Sequence, residues 1–246
     1  MSDFVTISEE NSVVRIHLNR PAKRNALTQD MYAAMTTALQ QADERDDIAA
    51  VVFSGEGDLF CAGNDLGDFL KHGELKPDSP VFQFLATISS VNVTVVAAVQ
   101  GAAVGIGTTL LLHCDLVYAA EGTQFVMPFV DMGLVPEAGS SQLIPALCGH
   151  LKAAELLLLA EQFDAAKAYE LNIVNKVVPA AELEATVADV AARLAQKPVQ
   201  SLRISKRLMK AAPEPINDRI QRELVDFLQV LASPETQAII AAKAKR

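Results

Sequence analysis

Hydrophobic and polar positions alternate along "FVTISEE" and "SVVRIHL", two β-branched stretches joined by the turn-forming "ENS", and this predicts a hairpin. After the loop "NRPAKRNALT" the period lengthens. Met31, Ala34, Met35, Ala38, Leu39 and Ala42 recur at three-four spacing behind Thr28, a good N-cap, so an amphipathic helix is expected over "QDMYAAMTTALQQADERDD". "IAAVVFSG", "TVVAAVQG" and "DLVYAA" are apolar at successive positions, the pattern of strands covered on both faces. "PVFQFLATISSV" and "AVGIGTTLLLHC" read as helices among them. From Ala138 onward the chain is expected to be mostly helical, with "AAELLLLAEQ", "DAAKAYEL", "AAELEATVADVAARLAQ", "VQSLRISKRLMKA" and "INDRIQRELVDFLQVLA" separated by Pro or short polar breaks. Alternating strands and helices predict an α/β layered fold. A shift in composition near residues 190 to 200 divides a core, residues 1–190, from a helical C-terminal region, residues 191–246.

Length and composition narrow the class of function. A chain of 246 residues can bury a substantial core, and half its residues are hydrophobic, as in an ordinary globular protein. A formal charge of −9, few aromatics and no Trp argue against a nucleic-acid partner, while leaving room for one small anionic ligand held by local cations. Cys61, Cys114 and Cys148 are odd in number and far apart, which suits reduced thiols. "MSDFVTISEE" has no basic and apolar leader pattern, no apolar stretch is long enough to span a membrane, and "AAKAKR" is not the peroxisomal tripeptide signal. A cytoplasmic location is expected. His17, His72, His113 and His150 show no metal spacing, and "HC" at 113–114 reads as structural.

Three short stretches carry candidate chemistry. In "FCAGNDL", Ala62-Gly63 leaves the backbone uncovered, so its N–H groups can meet a developing oxyanion; the same residues also suit a tight turn capped by Asn64 or Asp65. "QGAAVGIGTTLLLHC" places Gly101, Gly105 and Gly107 between a strand and a helix. Its G-x-x-x-G-x-G spacing is neither a dinucleotide fingerprint nor a phosphate-binding loop, and it reads either as bare donors or as close backbone packing. In "LVPEAGSS", Glu137 has no Lys or Arg within ten positions on either side. It is either a solvated turn residue or, in an apolar setting, a carboxylate whose raised pKa makes it a base near neutral pH. The cations of "SLRISKRLMK" fall mainly on one helical face, expected to be solvated.

Taken in order, "VRIHLNRPAKRNALT", "FCAGNDL", "AAVQGAAVGIGTTLLLHCDLVYAAEGTQFVMPFVDMGLVPEAGSS" and "AKAYELNIVNKVVP" resemble the crotonase (enoyl-CoA hydratase/isomerase) superfamily over about the first 180 residues. The resemblance implies a crotonase (ClpP-like) spiral of ββα units, with a helical C-terminal trimerisation region and assembly as a homotrimer or dimer of trimers. It implies an acyl-CoA substrate, no metal and no separate cofactor, since CoA arrives as the substrate thioester. Carried over by motif, the main-chain N–H groups of Asn64 and Ile106 would hold the thioester oxygen. Ala62, Gly63, Asp65 and Leu66 would line the acyl-pantetheine channel beside Gly105. Lys23 and Arg24 are candidates for the CoA phosphates, against a plain solvated loop. Phe82, Leu85 and Phe129 would lie at the acyl chain. Where a hydratase has its two glutamates, this chain has Thr109 and Phe129. Glu137 stands where peroxisomal-type Δ3,Δ2-enoyl-CoA isomerases carry their single catalytic Glu.

Overall fold

The computed structural model describes residues 3–72 and 75–244. Met1, Ser2, Lys245 and Arg246, the ends of the two terminal stretches read above, lie outside the described residues, as does the side chain of His72. Strands β1 (Val5–Glu10) and β2 (Val13–Leu18) form the expected antiparallel hairpin, with Asn11 and Ser12 at positive φ in its turn. Helix α1 (Gln29–Glu44) starts at Thr28, whose hydroxyl accepts from Met31 N–H, a cap worth about 1 kcal/mol. Then come β3 (Ala50–Gly55), the short α2 (Leu66–His72), α3 (Pro80–Ser90) and β4 (Thr94–Val99).

The next stretch departs from expectation. "AAV" forms a strand, β5 (Ala102–Val104), and only Ile106–Thr109 is α-helical (α4) before a 3-10 turn ending at His113. Three residues of strand are too few to show a period. After β6 (Leu116–Ala120) and β7 (Gln124–Val126) follow α5 (Ser140–Cys148), α6 (His150–Leu158), β8 (Phe163–Asp164), α7 (Ala165–Glu170) and β9 (Lys176–Val178). Helices α8 (Leu183–Ala195), α9 (Val199–Lys210), α10 (Ile216–Leu231) and α11 (Pro234–Ala244) end the chain, and residue 190 lies inside α8.

Six strands form one sheet in the order β1-β2-β3-β4-β6-β9, parallel except for the hairpin, and β5-β7-β8 form a second. The fully apolar runs follow from this. Val51, Phe53, Val95 and Ala97 enter the main core with α1 and α3, while Ala50, Val52, Val96 and Ala98 enter a smaller core under α8.

Helix α9 corrects in part the reading of its cations as a solvated face: Arg207 and Lys210 are exposed, and Arg203 and Lys206 turn inward. Lys206 is buried, with Nζ 2.7 Å from Asp115 Oδ2 and 2.6 Å from the Val93 carbonyl. Arg203 donates to the carbonyls of Ala42, Asp43 and Arg45 at the end of α1. These charges pin α9 to the sheet layer, because carbonyls left bare at a helix end and a strand start need donors. No described helix is long and apolar enough to cross a membrane.

Candidate active site

The segment Phe60–Asp65 runs between two partners. On one side Cys61 pairs with β5: its N–H donates to Ala102 O at 3.1 Å and its carbonyl accepts from Val104 N–H at 2.9 Å. On the other side Leu27 N–H donates to Gly63 O at 2.8 Å, and Leu27 O accepts from Asp65 N–H at 2.8 Å. The Gly63 carbonyl and the Asn64 N–H belong to one trans peptide and point in opposite directions. With the carbonyl held by Leu27, the Asn64 N–H faces the side of β5 and α4.

A second peptide is oriented by the same device. Gly105 O accepts from Thr108 N–H at 2.9 Å and Thr109 N–H at 3.0 Å, so the Ile106 N–H of that peptide projects out of the first turn of α4. Gly105 has φ 54° and ψ −118°, a conformation that side chains disfavour. Gly107 is glycine for another reason: a Cβ there would lie 2.8 Å from the Cys61 carbonyl. The two glycines of "GIG" thus have different causes, backbone conformation at Gly105 and close packing at Gly107.

Glu137 sits in the loop before α5. Its carbonyl accepts from Ser140 N–H at 3.0 Å and Ser140 Oγ at 2.7 Å, and Ala138 follows with φ 52°. His113 Nε2 lies 2.8 Å from the Ala138 carbonyl. A carbonyl only accepts, so Nε2 carries the proton. Burial lowers the His113 pKa, with Lys206 and Lys210 acting in the same direction, which favours the neutral ring. At the carboxylate itself, Oε1 accepts a hydrogen bond from the hydroxyl of the fully buried Thr109. Burial raises the carboxyl pKa from 4.5 to about 6 against the opposing effect of that hydrogen bond. The solvated-turn alternative for Glu137 falls on this geometry.

Sequence reasoning missed Tyr32. It is fully buried, packs against Phe84 with ring centroids 5.4 Å apart, and donates from Oη to Asn64 Oδ1 at 2.5 Å. Burial first, then the charges of Cys61 and Glu137, hold its hydroxyl well above the usual phenol range, so it stays a donor. The signal was available: Tyr32 lies among the apolar positions of α1, and a buried phenol needs a partner.

The remaining expected residues divide. Ala62 and Gly63 share the Asn64 segment, and Ala62 N–H donates to Arg24 O at 3.0 Å, which ties the Lys23–Arg24 loop to it. Lys23 and Arg24 are exposed. Asp65 turns its carboxylate to Arg20 Nη1 at 2.7 Å and to Asp68 N–H at 3.0 Å, so its side chain holds the loop. Leu66 is exposed at the start of α2 and Phe82 on α3, Leu85 packs against the main core, and Phe129 is buried within it. Among the described residues no cluster of His, Cys, Asp and Glu suits a metal.

Residues 8–238 match the family model described as enoyl-CoA hydratase/isomerase. The chain belongs to this family. A rat enoyl-CoA delta isomerase 2 is 36% identical over 85% of the chain, which spans 55% of that longer protein. The Escherichia coli 1,2-epoxyphenylacetyl-CoA isomerase is 32% identical over 86% of the chain and 84% of its own length. A solved enoyl-CoA hydratase/isomerase of Pseudoalteromonas atlantica T6c is 37% identical, covers 99% of this chain and 97% of its own, and superposes with a TM-score of 0.83. The fold is thus the α/β crotonase fold that the resemblance implied, and an enzyme of the enoyl-CoA hydratase/isomerase family acts on an acyl-CoA.

Proposed function

We propose that this enoyl-CoA hydratase/isomerase family member is a Δ3,Δ2-enoyl-CoA isomerase, moving the double bond of a 3-enoyl-CoA to the trans-2 position. One observation carries the reading. Thr109, in place of a second carboxylate, spends its hydroxyl on Glu137, whose pKa burial raises to about 6. Hydration needs a group to activate water and an acid to protonate carbon; a double-bond shift needs one group that does both jobs in turn.

The thioester oxygen lies between the N–H groups of Asn64 and Ile106. Glu137 takes a proton from C2, and the electrons move into a dienolate whose oxygen the two donors stabilise. The protonated Glu137 then returns the proton to C4, leaving the double bond between C2 and C3. Loss of one such donor typically costs ~3 kcal/mol of transition-state stabilisation. CoA enters as part of the substrate, with Lys23 and Arg24 as the cations for its phosphates. The apolar residues exposed on α10, including Ile220, Leu224 and Phe227, fit a trimer or dimer-of-trimers contact.

The test pairs two substrates. Wild-type protein should raise conjugated-thioester absorbance from 3-hexenoyl-CoA and leave that of crotonyl-CoA unchanged, and Glu137→Gln should change neither. Loss of crotonyl-CoA absorbance by the wild type would assign water addition instead.

A further inference from the structure

The Asn64 peptide is anchored at its carbonyl by Leu27, and Asp65 N–H returns to the same residue. Both ties come from one flank of the segment. The preceding Gly63 has φ 93° and no side chain to brace the peptide, and its N–H donates to Cys61 Sγ at 3.4 Å. The Asn64 side chain adds a further tie, to α1. Its Oδ1 is held at 2.5 Å by Tyr32 Oη, from the second turn of a helix whose Tyr32, Met35 and Leu39 are all fully buried.

Resting on the isomerase reading above, we propose that Tyr32 is a positioning residue for the oxyanion hole: through the Asn64 side chain, its hydroxyl fixes the peptide whose N–H receives the thioester oxygen. A phenol suits this position because the ring fills core space beside Phe84 while its tip supplies one rigid donor. The donor does not touch substrate. It limits rotation of the 63–64 peptide, and small misplacements of a catalytic donor carry large kinetic costs.

The experiment uses Tyr32→Phe, Asn64→Ala and the double variant in the full chain. Two readouts are taken: steady-state kinetics with 3-hexenoyl-CoA, and the absorption of bound 4-dimethylaminocinnamoyl-CoA, whose band moves to the red as its thioester carbonyl is polarised. Tyr32→Phe is expected to lower kcat ~10-fold with KM changed by less than ~3-fold, and to shrink the red shift. The double variant should be no worse than Asn64→Ala alone, since one residue acts through the other. An unchanged red shift in Tyr32→Phe overturns the proposal, as does a double variant whose loss equals the product of the two single losses. If wild-type protein shifts the probe but does not isomerise the 3-enoyl substrate, the isomerase reading fails, and the probe shift alone decides the role of Tyr32. Absence of any shift of bound probe with wild-type protein overturns the role of Tyr32, while the isomerase reading stands or falls on the 3-hexenoyl-CoA kinetics.

Discussion

Thr109 donates its hydroxyl to one oxygen of Glu137, so the residue that stands in place of a second carboxylate orients the first. A carboxylate with one oxygen occupied by a donor is left with the other aimed in a defined direction. The same bond also stabilises the charged form, which opposes the rise in pKa that burial imposes.

Thr109→Val keeps the shape and removes the donor. The Glu137 pKa is then expected to climb further above about 6. The acid limb of the kcat/KM profile should move to higher pH, and kcat should fall ~10-fold. A pH–rate profile decides it; a limb that stays in place would show that the hydroxyl does not govern the base.

Glu137→Gln should abolish turnover by a factor of ~10²–10⁴ and also stabilise the fold at neutral pH. The folded-state pKa, about 6, lies above the usual 4.5, so the folded protein binds this proton more tightly than the unfolded chain does. Stability is therefore lost as pH rises through that window, and the charged carboxylate is a burden above it. Discounted for the partial exposure of the group, the variant should gain ~1 kcal/mol above pH ~6 and nothing below pH ~4.5. Urea unfolding at the two pH values tests the sign. A variant less stable than wild type at neutral pH would refute the burial argument.

His113 holds the carbonyl of Ala138, next to the proposed base. His113→Ala is expected to lower kcat ~10-fold while moving KM little. His113→Gln, whose amide N–H can reach the same carbonyl, should recover most of the loss. If both variants lose activity equally, side-chain packing rather than the hydrogen bond matters there.

Lys206→Met removes one partner of a buried ion pair and leaves Asp115 behind, still accepting from Val95 N–H at 2.7 Å. The cost should be ~3 kcal/mol in denaturant unfolding. The exposed Lys197→Met should stay within ~0.5 kcal/mol. Equal midpoints for the two would mean that the buried pair does not pin α9.

Much of this structure was readable from residue pattern. The hairpin, α1 and strands β3, β4 and β6 were legible because alternation, three-four spacing and unbroken apolar runs record which faces are covered. Strands β5, β7, β8 and β9 have two or three residues each, too short to carry a period. The inward Lys206 and Arg203 were hidden because their partners, Asp115, Asp43 and bare carbonyls, lie far away in sequence. At the site, Asn64, Ile106 and Glu137 came from motif order. Thr109 was legible only as a missing carboxylate, since its bond to Glu137 spans 28 positions and depends on the loop before α5. Tyr32 carried a local signal, a phenol on an apolar face, whose partner only the folded chain supplies.

The most direct test of a single-base proton shuttle is mass spectrometry of the product that wild-type protein forms from 3-hexenoyl-CoA in oxygen-18 water. The expected product is trans-2-hexenoyl-CoA, equal in mass to the substrate and free of label. Unchanged 3-hexenoyl-CoA, with trans-2-hexenoyl-CoA in the same water converted to a 3-hydroxyacyl-CoA heavier by one labelled water, would contradict it, and would mean that this site delivers water to C3 of a conjugated thioester instead of moving a double bond.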